Sequence, residues 1–219
     1  SEHNAIYKLL NNINSENLQS ITITASGGPF LNKSIEDLKH VTLEEALKHP
    51  TGNMGKKITI DSSALINKGL ELIEATYLFN IDHKNIKILV HPQSIVHAMV
   101  SMHDGTTISL MSKADMKIPI SDAIFENGES PTFGNLRTSD IKNLTFCDLD
   151  NEKFPTINMA RDAIDQGMSS IITYNAASEV AVENFISKKI SFLDIYKVIK
   201  ESIKNSKKIE QKVSKNNIE

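Results

Sequence analysis

The sequence predicts an α/β (α+β) domain followed by an all-α helical domain. Up to about residue 125, segments that alternate like strands are interleaved with segments of helical spacing. Beyond residue 155 the apolar residues recur only at helical spacing, and the residues between carry Gly and Pro with little periodicity. We therefore expect a first domain at 1–125, a linker at 126–155 and a helical domain at 156–219.

In the first half, each element has its own signal. Ser1 is placed to cap a helix that runs to about Leu10. Ile21–Ala25 alternates like a strand and meets the breaker Ser-Gly-Gly-Pro, and Thr42 with Glu45 forms a capping-box pattern. The expected elements that follow are a short strand at 58–60, a helix at 64–79 and a strand at 86–90.

The remaining elements are a hairpin and three helices. Asp104-Gly105 separates two apolar segments, 95–102 and 106–111, and is typical of a hairpin turn. The predicted helices span 157–166, 169–187 and 191–205, and the polar, Lys-rich tail from Ser206 is expected to fray.

Composition excludes several classes of protein. Of the 219 residues 40% are hydrophobic, which is enough for a buried core. A net charge of −3 argues against a general nucleic-acid binder, and the single Cys147 excludes a disulfide framework. The sequence has no run near the ~18 apolar residues of a membrane span. We expect a cytoplasmic protein without a membrane or nucleic-acid partner.

The densest polar cluster spans Asp61–Glu71. A strand that ends in hydroxyl residues and feeds a helix would direct free N–H groups at a phosphate. Asn67 and Glu71 are four residues apart and share a helix face, with Lys68 beside them. Such a face suits a phosphorylated ligand and a divalent cation together. It is equally compatible with a solvated Lys68–Glu71 pair worth only ~0.2–0.5 kcal/mol.

Other signals are weaker. Ser26-Gly27-Gly28 is compatible with an anion-binding loop or a plain turn, and His97, inside a predicted strand, with a core histidine. His49 precedes a Gly-containing loop that is typical of a mobile flap. Carboxylates such as Glu2 and Glu71 favour Mg²⁺ or Mn²⁺. The residues alone indicate metal-assisted chemistry on a phosphorylated small molecule.

Ordered strings in the chain carry a more specific signal. They are Ser-Glu-His-Asn-Ala-Ile at 1–6, Ala-Ser-Gly-Gly-Pro-Phe at 25–30, Met-Gly-Lys-Lys-Ile-Thr-Ile-Asp-Ser at 54–62, Asn-Lys-Gly-Leu-Glu at 67–71, His-Pro-Gln-Ser at 91–94, Asp-Met at 115–116 and Asn-Ala-Ala at 175–177. Over nearly its whole length the chain resembles the 1-deoxy-D-xylulose 5-phosphate reductoisomerase family.

The resemblance implies an NADPH-binding Rossmann domain, a catalytic α/β domain with a small mixed sheet, and a helical bundle. This sequence has no Gly-x-Gly-x-x-Gly unit, so it is expected to be a fragment that lacks the NADPH domain and is inactive alone. Implied metal ligands are Glu2 and Glu71, which with His97 are also the implied catalytic residues. Residues implied to bind substrate, mainly its phosphate, are Ser1, Glu2, Ser26, His49, Ser62, Asn67, Lys68 and Glu71. Residues implied near the cofactor are Met54, Gly55 and Met116, the first two on a flap at 50–57.

The implied reaction is the isomerisation and NADPH-dependent reduction of 1-deoxy-D-xylulose 5-phosphate to 2-C-methyl-D-erythritol 4-phosphate, with Mg²⁺ or Mn²⁺, in isoprenoid biosynthesis. The family implies a homodimer, in the bacterial cytoplasm or alternatively a plastid. Gly52 stands where the family usually has Trp, and Tyr174 where it usually has Leu. These departures keep open a non-catalytic remnant that binds phosphate or metal; a purely structural helical protein is disfavoured.

Overall fold

The structure is a computed structural model that describes residues 1–48, 55–125 and 131–216. The chain divides into two compact units. The first, here called the sheet unit, comprises Ser1–Ser26 and Ala75–Leu149; the second, the helical unit, comprises Gly27–Glu74 and Asp150–Glu219. These bounds differ from the division expected from sequence, because residues 27–74 group with the C-terminal helices. The functional domains at 1–125 and 156–219 stay a prediction.

Within the described residues, a five-stranded mixed sheet organises the sheet unit. Its strands are β1 (Leu18–Ala25), β2 (Ile86–Val90), β3 (Val96–Met102), β4 (Thr107–Met111) and β5 (Cys147–Asp148), in the order β4-β3-β1-β2-β5. β1 and β2 run parallel with Ile21 opposite Ile86, and the other pairs are antiparallel. The predicted strand at 86–90, the strand at 21–25 and the hairpin are confirmed.

Two helices accompany this sheet. Helix α1 (Glu2–Leu10) buries Ala5, Ile6 and Leu9 and contacts β3. Ser1 occupies its N-cap position, but its hydroxyl makes no capping hydrogen bond and instead donates to Glu2 Oε2 at 2.5 Å. The helix Lys117–Ile124, which the sequence did not indicate, holds α1 through Asp122, whose carboxylate accepts from Asn4 and pairs with Lys8.

The expected strand at 58–60 is wrong, since these residues lie in a helix, α4 (Lys56–Ser63). The Ile-Thr-Ile run favours a strand by propensity, but tertiary burial of one face decides. Ile60 is fully buried, Thr59 donates its hydroxyl to the Gly55 carbonyl, and Lys57 pairs with Asp61 one turn on. The polar cluster therefore begins inside a helix, and Leu65 in the left-handed region (φ 54°) separates α4 from α5 (Ile66–Leu78). The predicted helix at 64–79 is thus confirmed to within two residues.

Besides α4 and the first part of α5, the described residues of the helical unit form two short helices and three long ones. The short helices, α2 (Ile35–Leu38) and α3 (Leu43–Ala46), both begin with complete capping boxes; that of α3 was predicted and that of α2 was not. The long helices are α7 (Thr156–Gln166), α8 (Met168–Ile186) and α9 (Phe192–Asn216), which follow α6, the Lys117–Ile124 helix of the sheet unit. α9 continues past the expected end at 205 because Ser206 is buried, its hydroxyl 3.2 Å from that of Ser170.

The segment expected to be a linker is partly built into the sheet. Cys147 pairs with Val90 in β5, and the His-Pro-Gln-Ser string holds the residues just before it. His91 is fully buried and its Nδ1 lies 2.8 Å from the Thr145 carbonyl, while its ring stacks on Phe146. Gln93 Nε2 donates to Thr145 Oγ1 at 2.7 Å. The string acts as a clamp for residues 143–148.

Replacing Gln93 with Ala is expected to loosen β5 locally. The exposed side chain contributes hydrogen bonds worth about 0.5–1.5 kcal/mol each at most. Amide hydrogen exchange of Cys147 and Asp148 should accelerate severalfold, while the amides of the β3–β4 pair keep their rates and serve as the internal control. Equal exchange rates of the β5 amides in the parent and in the variant would show that Gln93 does not stabilise β5.

Candidate functional site

A polar face on α5 is the centre of the candidate site. Glu71 accepts a hydrogen bond from Asn67 Nδ2 on Oε1 and one from Lys68 Nζ on Oε2, each at 2.6 Å. The i,i+3 and i,i+4 spacing on one helix brings the amide, the ammonium and the carboxylate together, as predicted.

This cluster is shielded from water. The side chains of Lys68 and Glu71 are only 6% and 14% exposed, so the solvated pair that the spacing also allowed is wrong. A buried ammonium requires a compensating negative charge, and Glu71 supplies one. An anionic ligand could take over that role at Lys68, and a cation could do so at Glu71.

The C-terminal helices fix the start of α5 by hydrogen bonds to its backbone. Thr156 Oγ1 donates to the Ala64 carbonyl at 3.1 Å, and Tyr174 Oη makes a long contact of 3.4 Å with the Ile66 carbonyl. Tyr174 is fully buried, and its hydroxyl fills the space over Gly69. Sequence reasoning gave these two residues no role, because their partners lie 92 and 108 positions away.

The Gly-Gly loop packs against the end of α4. Gly27 and Gly28 have φ values of 85° and 66°, which L-residues other than Gly rarely adopt. A Cβ on Gly28 would lie 3.1 Å from the Ser62 carbonyl oxygen, so the close approach also requires Gly. Downstream, Lys153 Nζ donates to the carbonyls of Leu31 and Lys33 and holds the loop. The geometry is compatible with both interpretations, an anion loop and a plain turn.

Asp61, the first residue of the predicted polar cluster, is a buried carboxylate to which sequence reasoning assigned no role of its own. Its Oδ2 bonds Lys57 Nζ at 2.8 Å, and its Oδ1 is buried without a hydrogen-bond partner. Burial raises the pKa of Asp61; Lys57 opposes that rise and the charge of Glu179 adds to it. Only the burial of α4 indicates such an oxygen. The sequence carried no sign of it, because residues 58–60 were expected to form a strand.

Asp61 makes the stability of the helical unit pH-dependent in a defined direction. Because its folded-state pKa lies above the ordinary value, the unfolded chain loses this proton first and stability falls as pH rises through that window. We expect Asp61→Asn to gain stability relative to the parent as pH rises from about 4 to 7. Urea unfolding at both pH values measures this.

Asp104→Asn is the matched control, since hydrogen bonds from Thr106 lower the pKa of Asp104. It should change relative stability in the opposite direction or not at all. A pH-independent difference for Asp61→Asn would contradict the assigned pKa shift.

Glu2 and His97 lie in the sheet unit. Glu2 is half-buried and accepts from Ser1. His97 is buried in β3, where its Nε2 lies 2.9 Å from Ser112 Oγ. Burial lowers the pKa of His97, and the Glu2 carboxylate opposes this fall. His97 therefore lies in the core, as its strand predicts. Its pKa is also influenced by the charge of Glu2, which the resemblance implies to be a metal ligand.

The other predicted site residues are distributed over both units. Ser26 and Ser62 are half-buried, Gly55 precedes α4 as its exposed N-cap, and Met116 is 57% exposed at the N-cap of α6. His49 and Met54 lie outside the described residues. Among the residues that the structure describes, no group of three or more His, Cys, Asp or Glu side chains is arranged to hold a metal, and no helix has the length and hydropathy to span a bilayer.

Comparison with known proteins gives one consistent result. The family model described as the 1-deoxy-D-xylulose 5-phosphate reductoisomerase C-terminal domain matches residues 1–79, and that of the DXP reductoisomerase C-terminal domain matches residues 111–219. The 1-deoxy-D-xylulose 5-phosphate reductoisomerase of Sulfurihydrogenibium sp. (strain YO3AOP1) is 46% identical over 93% of this chain and 54% of its own length. The reductoisomerase of Lawsonia intracellularis (strain PHE/MN1-00) is 47% identical over 89% of this chain and 49% of its own length.

Solved structures agree with this. A crystal structure of DOX-P reductoisomerase in complex with NADPH, fosmidomycin and magnesium superposes with a TM-score of 0.86 at 36% identity, over 93% of this chain and 52% of that one. The structure of the Zymomonas mobilis enzyme in complex with NADPH superposes with a TM-score of 0.86 at 39% sequence identity. The match covers 94% of this chain and 53% of that one. The chain spans about half the length of the relatives it matches. On its sequence and its fold, the chain belongs to the 1-deoxy-D-xylulose 5-phosphate reductoisomerase family.

Proposed function

We propose that this chain supplies the substrate- and metal-binding part of an NADPH-dependent reductoisomerase that converts 1-deoxy-D-xylulose 5-phosphate to 2-C-methyl-D-erythritol 4-phosphate in isoprenoid biosynthesis, in the bacterial cytoplasm. The observation that carries the proposal is the shielded Asn67–Lys68–Glu71 cluster on α5, in a chain of this family. Taking an ammonium and a carboxylate out of water costs free energy that apolar side chains of similar size avoid, which favours a binding role for the Lys68–Glu71 pair.

The phosphate of the substrate is the proposed ligand of Lys68 and Asn67. Lys68 offers a shielded positive charge and Asn67 an amide donor, and Ser62 adds a hydroxyl at the end of α4. The remaining proposed substrate contacts are Ser1, Glu2, Ser26, His49 and Glu71. Since the phosphate is remote from the reacting carbons, its binding energy serves to orient them.

Glu2 and Glu71 are the proposed ligands of Mg²⁺ or Mn²⁺. Both offer carboxylate oxygens, which hard divalent cations prefer, and both are held by hydrogen bonds from neighbouring side chains. When bound, the metal supplies Lewis-acid polarisation of the substrate carbonyl. Met54, Gly55 and Met116 are the proposed NADPH contacts, and the exposed thioether of Met116 offers the nicotinamide an apolar surface.

Binding of fosmidomycin with Mg²⁺ tests this site, since relatives bind both. In isothermal titration calorimetry, Lys68→Met is expected to weaken binding at least about tenfold, as for the loss of one charge-assisted hydrogen bond. Lys39→Met is the matched control, because Lys39 forms an i,i+3 pair of the same 2.6 Å length that is exposed. Equal loss in both variants, or none in either, would contradict the proposed role of Lys68. Binding of fosmidomycin that does not depend on Mg²⁺ would favour the non-catalytic remnant.

The proposed homodimer forms through strand β4. β4 is an outer strand of the sheet within the described residues, and it exposes Ile108 and Met111. An exposed strand edge with apolar side chains is a site for pairing with another strand. Ile108→Lys is expected to shift sedimentation velocity from dimer to monomer, whereas Ile35→Lys, an exposed position of the helical unit, should not. A monomeric parent chain would contradict the proposal.

A further inference from the structure

His97 occupies an irregular position in the sheet. Val96 pairs with Met111 and Ala98 with Leu110, so His97 is the extra residue of a β-bulge. Bulges redirect a side chain and are common beside active sites. Here the ring reaches Ser112, whose own amide is fixed by a hydrogen bond to the Ile95 carbonyl at 3.0 Å.

Ser112 has a second partner besides His97, and this partner bears on the direction of the Ser112–His97 hydrogen bond. Ser112 Oγ lies 2.9 Å from His97 Nε2 and donates to the Lys113 carbonyl at 3.1 Å. A hydroxyl has one proton, and a carbonyl can only accept. We assign that proton to the Lys113 carbonyl, so that the oxygen of Ser112 offers a lone pair to His97 and Nε2 carries the hydrogen.

Backbone groups around the ring offer acceptors to a ring N–H. Burial lowers the pKa of His97, and backbone hydrogen bonds to Ser112 and Lys113 oppose that fall, as acceptors facing a ring N–H do. Neighbouring strand β1 also holds the bulge in place, because Thr24 Oγ1 lies 2.7 and 3.0 Å from the carbonyl oxygens of Val96 and His97, either of which can accept its proton.

We propose that Ser112 is a positioning residue that holds neutral His97 as the Nε2–H tautomer, so that Nδ1 is the nitrogen that carries the lone pair. His97 then accepts, rather than donates, a hydrogen bond from a hydroxyl group that reaches its second nitrogen. This consequence for substrate binding rests on the proposed function, but the tautomer does not.

Long-range ¹H–¹⁵N NMR of the imidazole rings at alkaline pH tests the tautomer in the complete chain. His97 should show a protonated Nε2 and an unprotonated Nδ1. In Ser112→Ala the ratio of the two tautomers should fall about fivefold, which corresponds to one net hydrogen bond of about 1 kcal/mol. Ser112→Thr should restore the parent ratio, and Ser109→Ala, which removes an exposed hydroxyl from β4, should leave it unchanged.

A parent protein with Nδ1–H at His97 would overturn the proposal without any variant, even if Ser112→Ala failed to fold. An unchanged ratio in a folded Ser112→Ala would overturn it as well. Loss of fosmidomycin binding in the calorimetric experiment would instead contradict the proposed function and leave the tautomer intact, so the two failures are distinguishable.

Discussion

Replacing Glu71 with Gln is expected to have opposite effects on the two proposed ligands. Mn²⁺ affinity, measured by electron paramagnetic resonance, should fall at least about tenfold because a ligand oxygen with its charge is lost. The affinity for inorganic phosphate without metal should rise about tenfold, because Lys68 no longer has Glu71 at 2.6 Å as its counter-ion and the repulsion of the anion is removed. Substitution of a residue that only stabilises the fold would weaken the binding of both Mn²⁺ and phosphate.

The same variant should be less stable without ligand. Breaking the buried Lys68–Glu71 pair removes a negative charge that lies 2.6 Å from the Lys68 ammonium and costs up to about 3 kcal/mol of unfolding free energy. Phosphate should recover part of this loss. Glu36→Gln is the matched control, since the Lys39–Glu36 pair has the same spacing and length but is exposed, and its removal should change stability by less than about 0.5 kcal/mol. Weaker phosphate binding in Glu71→Gln would contradict the assignment of Lys68 to the anion.

A methyl group at Gly69 is expected to disturb the candidate site from inside. A Cβ at this position would lie 2.2 Å from Tyr174 Oη and 3.2 Å from the Thr156 carbonyl oxygen. Tyr174 is fully buried and cannot swing away freely, so overpacking should cost about 1–3 kcal/mol even after the better helix propensity of Ala. Compared with the parent, Gly69→Ala should have a lower free energy of unfolding in urea and a lower affinity for fosmidomycin.

Tyr174→Phe tests this explanation, because its effect on stability should have opposite signs in the parent and in Gly69→Ala. In the parent, Tyr174→Phe loses a long hydrogen bond to Ile66 and should cost about 0.5 kcal/mol. In Gly69→Ala the same substitution removes the clashing oxygen and should stabilise the protein. Additive effects of the two substitutions would show that Tyr174 does not limit the space at Gly69.

Local patterns predicted the parts of this molecule that depend on nearby residues. The strands at Ile21 and Ile86, the hairpin at Asp104-Gly105 and the i,i+4 arrangement of Asn67 with Glu71 all follow from periodicity or turn chemistry. The helix at 56–63 did not, because tertiary burial of Ile60 and Thr59 overrides the β-propensity of Ile-Thr-Ile.

Residues that act across long sequence separations could not be found in this way. Thr156 and Tyr174 support the α4–α5 junction from the C-terminal helices, and Gln93 reaches 52 positions to Thr145. Single-sequence reasoning has no signal for such contacts without knowledge of the fold. The resemblance named Asn67, Lys68 and Glu71 as binding residues, but only the structure shows that the charges of Lys68 and Glu71 are shielded and mutually compensated.

The most direct test of the account is a crystal structure of this chain with fosmidomycin and Mn²⁺, recorded at the manganese absorption edge. The proposed roles of Lys68 and Glu71 predict the phosphonate within hydrogen-bond distance of Lys68 Nζ and an anomalous peak at the Glu71 carboxylate, with the 2.6 Å contact between these two side chains broken. A phosphonate bound away from Lys68, with the Lys68–Glu71 pair intact, would contradict it.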